Sequence, residues 1–202
     1  MDTLTDEIVH ICAQLSDKDN VNLSATSKHL SVIKFRVLFF TKRHVKDIIN
    51  LPYFHQFSNV VMSDANECSP KHVTHLTFCN DFNQPINGCI SDSITHLIFG
   101  HCFNQPINGC IPDSVTNLTF SYHFNQPIDG CIPDSVTSLT FGFKFNHPIN
   151  GCIPDSVTHL TFGYEFNQST DSIPNSVINI SLSSNYKREI SKKMLPKVTI
   201  RT

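Results

Sequence analysis

The stretch Phe82-Asn83-Gln84-Pro85-Ile86-Asn87-Gly88-Cys89-Ile90 returns almost unchanged at Phe103, Phe124 and Phe145, and in altered form at Phe166, always 21 residues on. A fixed period of this length specifies a stacked solenoid, because a single unit cannot bury its own apolar face and needs a neighbour on each side. The function of such a chain resides in the surface that the stack presents and in whatever is attached to its ends.

The copies at Phe103, Phe124 and Phe145 run through a Pro-Asp-Ser step, and the first and last through Ser91-Asp92-Ser93 and Pro174-Asn175-Ser176, into a strand-like segment, as in Ser114-Val115-Thr116-Asn117-Leu118-Thr119-Phe120. Val115, Leu118 and Phe120 recur as Val136, Leu139 and Phe141 and as Val157, Leu160 and Phe162. Leu118 and Phe120 are two apart and share one face of a strand, while Thr119 points away. Equivalent strands are expected to pair in a parallel ladder spaced by about 4.8 Å. Pro112-Asp113 suits a turn, with proline presetting φ and the aspartate bonding nearby amides. Gly88, Gly109, Gly130 and Gly151 mark a bend or a close backbone approach. The repeated Asn83, Asn104, Asn125, Asn146 and Asn167 are expected to stack as a buried, paired ladder.

The unit Val-x-x-Leu-x-Phe resembles the leucine-rich repeat. More closely, Phe103-Asn104-Gln105-Pro106-Ile107 resembles the FNIP repeat, and the resemblance holds in phase over residues 68–182. Such repeats are found mainly in proteins of amoebae and of the giant viruses that infect them. Leu4, Glu7, Ile8, Ile11, Leu15, Asp17, Leu23, Ser27 and Lys28 resemble the F-box, with Thr5 where that family carries proline. The two resemblances together imply an α+β chain. A short helical F-box-like domain (1–48) precedes a right-handed, leucine-rich-repeat-like solenoid with a parallel β-ladder (49–202), divergent at both ends. They also imply a non-catalytic adaptor, the substrate receptor of a cullin–RING ubiquitin ligase. Leu4, Thr5, Ile8, Ile11 and Leu15 would meet a Skp-type adaptor and, through it, a cullin. The alternative is a stand-alone repeat scaffold whose N-terminal helices only cap the solenoid.

Composition narrows the partners. The net charge of −2 predicts neither a nucleic-acid nor a membrane partner. No apolar run approaches the roughly 20 residues that span a bilayer, and the polar, acidic start is unlike a secretory signal. The expectation is a cytoplasmic monomer, in a host cytoplasm if the chain is viral, with the nucleus not ruled out. The 16 phenylalanines, set against no tryptophan, are the repeat's core filler. Between the two parts, Ile33, Phe35 and Val37 alternate as in a strand. Residues 42–50 read as a helix with Val45, Ile48 and Ile49 on one side, and Phe57–Met62 as an irregular first solenoid strand. Tyr186, Ile190, Leu195 and Val198–Ile200 trace one further coil.

Two columns invite a metal reading. Cys89, Cys110, Cys131 and Cys152, one per coil, would lie along roughly 14 Å, whereas tetrahedral zinc gathers its sulfurs within about 2.3 Å of one point. They read as small core residues in reduced form. His75 and His96 share a strand position in adjacent coils, with His159 further along. No carboxylate or third ligand joins them, so they read as surface polar residues. No metal, cofactor or catalytic set is expected, and the chain is not read as an enzyme. What remains is the outward face. Its variable positions are His75, His96, Asn117, Ser138 and His159, followed just after the strands by His101, Tyr122, Phe143 and Tyr164. Aromatic side chains in a row are typical binding anchors. His75, His96, His101, Asn117, Tyr122, Phe143, His159 and Tyr164 are therefore the candidate target-binding set.

Overall fold

The computed structural model describes residues 42–51, 55, 57–67, 72–190, 192 and 194–201. Residues 1–41 of the expected F-box-like domain (1–48), with the alternating Ile33, Phe35 and Val37, lie outside these residues. Among the described residues, nine strands form one parallel sheet in chain order. They are β1 (Arg43–His44), β2 (Asn59–Met62), β3 (His75–Phe78), β4 (His96–Ile98), β5 (Asn117–Thr119), β6 (Ser138–Thr140), β7 (His159–Thr161), β8 (Asn179–Ser183) and β9 (Val198–Arg201). From β3 to β7 the register is fixed by the repeat: His75 pairs His96, Leu97 pairs Leu118, and Leu139 pairs Leu160. No described helix is long and apolar enough to cross a membrane.

The side chains behind the sheet explain why each strand begins and ends where it does. Leu97, Leu118, Leu139 and Leu160 are buried from the sheet, and Ile94, Val115, Val136 and Val157 from the turn that precedes it. Two phenylalanine columns complete the core. Phe78, Phe99, Phe120, Phe141 and Phe162 stack at 5.3–5.6 Å between centroids. Phe82, Phe103, Phe124, Phe145 and Phe166 stack at 6.1–6.2 Å. Within a coil the two rings lie 3.7–4.3 Å apart, so each phenylalanine is sandwiched on several sides. Buried aromatics of this kind dominate core energetics, at about 150–250 Å² apiece. The spacing widens toward the second column because the coils fan out from the sheet. The stack therefore curves with its sheet on the concave side.

The turns complete the unit. Gly88, Gly109, Gly130 and Gly151 have φ between 63° and 70°, a left-handed conformation that costs other L residues about 1–2 kcal/mol. In the Pro-Asp-Ser step, and in Ser91-Asp92-Ser93 of the first copy, the last serine and not the aspartate makes the link. Ser93, Ser114, Ser135 and Ser156 each donate to a carbonyl of the preceding coil at 2.7 Å, while Asp113 stays exposed. The asparagine ladder forms, but on the surface rather than in the core. Each Oδ1 accepts the backbone N–H of the next asparagine at 2.9–3.0 Å. Its role is to extend the inter-coil pairing past the strands, where solvent reaches one side.

Two further departures have local causes. The helix expected over 42–50 shrinks to α1 (Val45–Ile48). Val45 and Ile48 are buried, but Ile49 is 43% exposed because the helix ends before it. Arg43–His44 ahead of it pairs with β2, a strand that so short a polar segment does not signal. In the cysteine column Cys110, Cys131 and Cys152 are buried, but Cys89 is only half-buried. Strand β2 pairs with β3 at a 16-residue offset, Asn59 opposite His75. All four thiols are free, and burial raises their pKa, that of Cys152 to about 11 with help from Asp129.

Candidate functional site

The concave side of the sheet carries two rows of side chains in register. The first runs Asn59, His75, His96, Asn117, Ser138, His159, Asn179, and the second Thr77, Ile98, Thr119, Thr140, Thr161, Ser181. They alternate with the buried leucines, which is why all are half-exposed or exposed. Ile98 breaks the threonine row as an apolar side chain 40% exposed. Under the first row Thr95, Thr116, Thr137 and Thr158 donate their hydroxyls to the preceding coil at 3.1–3.3 Å, which locks the approach to each strand.

Just past the strands the sequence-predicted aromatic residues come together as one ladder. His101 stacks on Tyr122 at 4.7 Å, Tyr122 on Phe143 at 4.6 Å, and Phe143 on Tyr164 at 4.9 Å. Tyr122 and Phe143 are half-buried by this stacking, while His101 and Tyr164 at its ends are exposed. The site is therefore a continuous ridge of ring edges rather than separate anchors. Backbone bonds hold the rungs, with Lys144 donating to Tyr122 at 2.9 Å and Glu165 to Phe143 at 2.9 Å. An ion pair between Lys144 and Glu165 flanks the ridge, with the ammonium 5.5 Å from the Phe143 ring centre.

A set of residues that the sequence reading passed over permits this spacing. A Cβ on Gly142 would fall 1.7 Å from the Ser121 carbonyl oxygen, and one on Gly163 1.9 Å from that of Gly142. Coil backbones touch there, immediately before the aromatic rungs. The signal was present in the sequence: the column Cys79, Gly100, Ser121, Gly142, Gly163 holds only small residues.

The candidate histidines do not form one group. His75 and His96 stack at 4.1 Å, whereas His159 sits between Ser138 and Asn179. Burial, and then the neighbouring His96, lower the pKa of His75. Among the described residues no three His, Cys, Asp or Glu side chains are grouped to hold a metal ion. Leu4, Thr5, Ile8, Ile11 and Leu15 lie outside the described residues.

The FNIP Repeat family model matches residues 67–102, 82–123, 103–144, 145–172 and 166–200, together well over half of the chain. The chain belongs to the FNIP repeat family. A search of curated proteins found no match. Among solved structures, the crystal structure of CroV588, described as a novel circular LRR protein, is similar with a TM-score of 0.64 and 30% identity. The similarity covers 81% of this chain and 30% of that one, so the FNIP chain spans less than a third of that protein's length. The leucine-rich-repeat-like architecture expected from Val-x-x-Leu-x-Phe is thus shown by a solved relative. It is a fold of the kind that serves as a binding scaffold.

Proposed function

We propose that this FNIP chain is a non-catalytic protein-interaction adaptor, with a target protein bound along the concave face and the aromatic ridge. The observation that carries the reading is the ridge itself. Four rings held 4.6–4.9 Å apart present preorganised apolar edges, and rigid aromatic anchors bind at low entropic cost. In the finer form of the proposal, the F-box-like segment ahead of β1, expected within residues 1–48, attaches the solenoid to a Skp-type subunit and so to a cullin of a ubiquitin ligase in the cytoplasm. The chain then works by proximity, holding a target beside a ubiquitin-loaded partner and making no bond itself. That form rests on the F-box resemblance at Leu4, Ile8, Ile11 and Leu15. The second reading, a stand-alone scaffold, is favoured by Thr5 in place of proline.

Co-purification with a Skp-type subunit separates the two. In the adaptor form the parent chain binds it at micromolar concentration, and Leu4→Ala with Ile8→Ala abolishes binding while the solenoid stays folded, because each buried aliphatic contributes on the order of 1.5–3 kcal/mol. A parent chain that ignores the subunit removes the ligase form. The scaffold form stands or falls separately, on whether a target cross-linked to the parent chain is lost when Tyr122, Phe143 and Tyr164 are all changed to alanine.

A further inference from the structure

The aromatic ridge stops at Tyr164 because the next coil offers no ring. Thr161 pairs with Ser181 on β8, so Ser184 stands opposite Tyr164, where a further ring would continue the ladder. The same 20-residue offset puts Tyr186 on Phe166, their rings stacked at 6.2 Å. Phe143 covers one face of the Tyr164 ring at 4.9 Å. Among the described residues no ring or cation lies over the other face, and Tyr164 is 48% exposed. Beside it runs an open groove of about 250 Å³, lined by Phe162, Gly163, Tyr164, Ser183, Ser184 and Arg201. Arg201 enters the groove from β9, two coils on, and donates to the Phe162 carbonyl at 2.6 Å. That bond fixes the guanidinium and leaves most of its five N–H donors free. Among the described residues Arg201 has no carboxylate partner, and Glu165, next to Tyr164, is committed to Lys144. The Ser183 hydroxyl accepts the Asn185 N–H at 3.2 Å and has its own proton to give.

We propose that this groove is the vacant fifth rung of the ridge, and that it takes an aromatic side chain of the target with a carboxylate directly beside it. The inference rests on the reading of the ridge as the target-binding face. Successive rungs stack at 4.6–4.9 Å, within the spacing that aromatic pairs favour. Ser184 is short and exposed, so it leaves that space to an incoming ring. The neighbouring carboxylate then meets the free donors of Arg201 and the Ser183 hydroxyl. Hydrogen bonds between a guanidinium and a carboxylate are about twice as strong as neutral ones, and the planar fork of arginine matches both oxygens. The surrounding charge points the same way. Residues 183–201 carry six lysines and arginines against one acidic residue, Glu189, although the whole chain stands at −2. A basic residue beside the incoming ring would be repelled by Arg201, and a neutral one would forgo the charge-assisted bond. The groove thus fixes the direction of the target on the ridge, with its aromatic–acidic step at the β8 end.

The probe is a capped hexapeptide with a central Phe-Glu step and otherwise glycine and serine. It is titrated into the full chain and followed by the amide shifts of Gly163, Ser183 and Ser184. The Phe-Glu peptide binds about tenfold tighter than its Phe-Gln counterpart, the factor for one bond to a charged group, and several-fold tighter than its Leu-Glu counterpart, which cannot stack. Arg201→Gln binds the Phe-Glu and Phe-Gln peptides alike, because the group that distinguishes them is gone. Ser184→Tyr fills the rung with the chain's own ring and loses the peptide while Arg201 is still present. Equal affinity for the three peptides, or no saturable binding of any, overturns the proposal on the parent chain alone. So does an Arg201→Gln chain that still prefers glutamate, or a Ser184→Tyr chain that binds like the parent. The reading of the ridge fails separately, if a target stays cross-linked to the chain in which Tyr122, Phe143 and Tyr164 are alanine. If that variant loses the target while Arg201→Gln and Ser184→Tyr both keep it, the ridge stands and the assignment of the groove falls.

Discussion

The asparagine ladder makes a prediction in which neighbouring rungs differ. Asn104 Oδ1 accepts two bonds from the next coil, the Asn125 N–H at 2.9 Å and Gln126 Nε2 at 3.1 Å. Asn125 Oδ1 accepts only one, from the Asn146 N–H at 3.0 Å. His147 stands where the other copies carry glutamine, and it reaches the Asn125 backbone carbonyl instead, at 3.1 Å. A net intramolecular bond contributes about 0.5–1.5 kcal/mol. Asn104→Ala therefore costs about 1–3 kcal/mol and Asn125→Ala about half of that. Both are well below the cost of a buried amide, because these side chains are half-exposed or exposed. Denaturant melts give the two energies. Amide hydrogen exchange supplies the local readout: the Asn125 amide exchanges faster in Asn104→Ala, and the Asn146 amide in Asn125→Ala. Asn125→Asp retains the acceptor and keeps the Asn146 amide protected. Equal costs for the two alanine variants, or unchanged exchange at both amides, would refute this account of the ladder.

Gly142→Ala is expected to destabilise by about 1–3 kcal/mol through overpacking against backbone, because its Cβ would meet the Ser121 carbonyl oxygen at 1.7 Å. Ser121 carries a Cβ in the same column, so a melt within about 0.5 kcal/mol of the parent would show that the Gly142 coil adopts the serine backbone freely. Native alkylation is expected to be slow at Cys110, Cys131 and Cys152 and faster at Cys79, Cys89 and Cys102, following burial, and equal rates at all six would contradict it. The Cys152 thiol titrates at about 11 in the fold against 9.0 for an unperturbed thiol. Its contribution to stability is complete below pH 9 and is lost as pH rises toward 11, which pH-dependent melts of the parent and of Cys152→Ala compare. Phe143→Ala is expected to weaken target binding by about 2 kcal/mol. It also destabilises the fold by roughly 1–3 kcal/mol, because its two stacking contacts at 4.6 and 4.9 Å are lost, so binding is compared at a temperature where the variant is folded. Unchanged affinity would move the contact off the ridge.

The 21-residue period alone determined a great deal. A unit this short with Val115, Leu118 and Phe120 in phase has one way to bury them, which is against copies of itself. The parallel ladder, its register, the reduced cysteine column and the outward position of His75 and Tyr122 all follow from stacking. Tertiary structure decided what depends on the distance between coils and on what lies next to each rung. Curvature arises because stacked phenylalanines hold the back of each coil 6.1–6.2 Å apart, while strand pairing draws the front to about 4.8 Å. That same closeness in front turns His101, Tyr122, Phe143 and Tyr164 into a single ridge, presses Gly142 onto the Ser121 carbonyl, and brings His75 face to face with His96. The exposure of the asparagine ladder and of Cys89 was also decided there, since a side chain's burial depends on the coil beside it and not on its own place in the repeat.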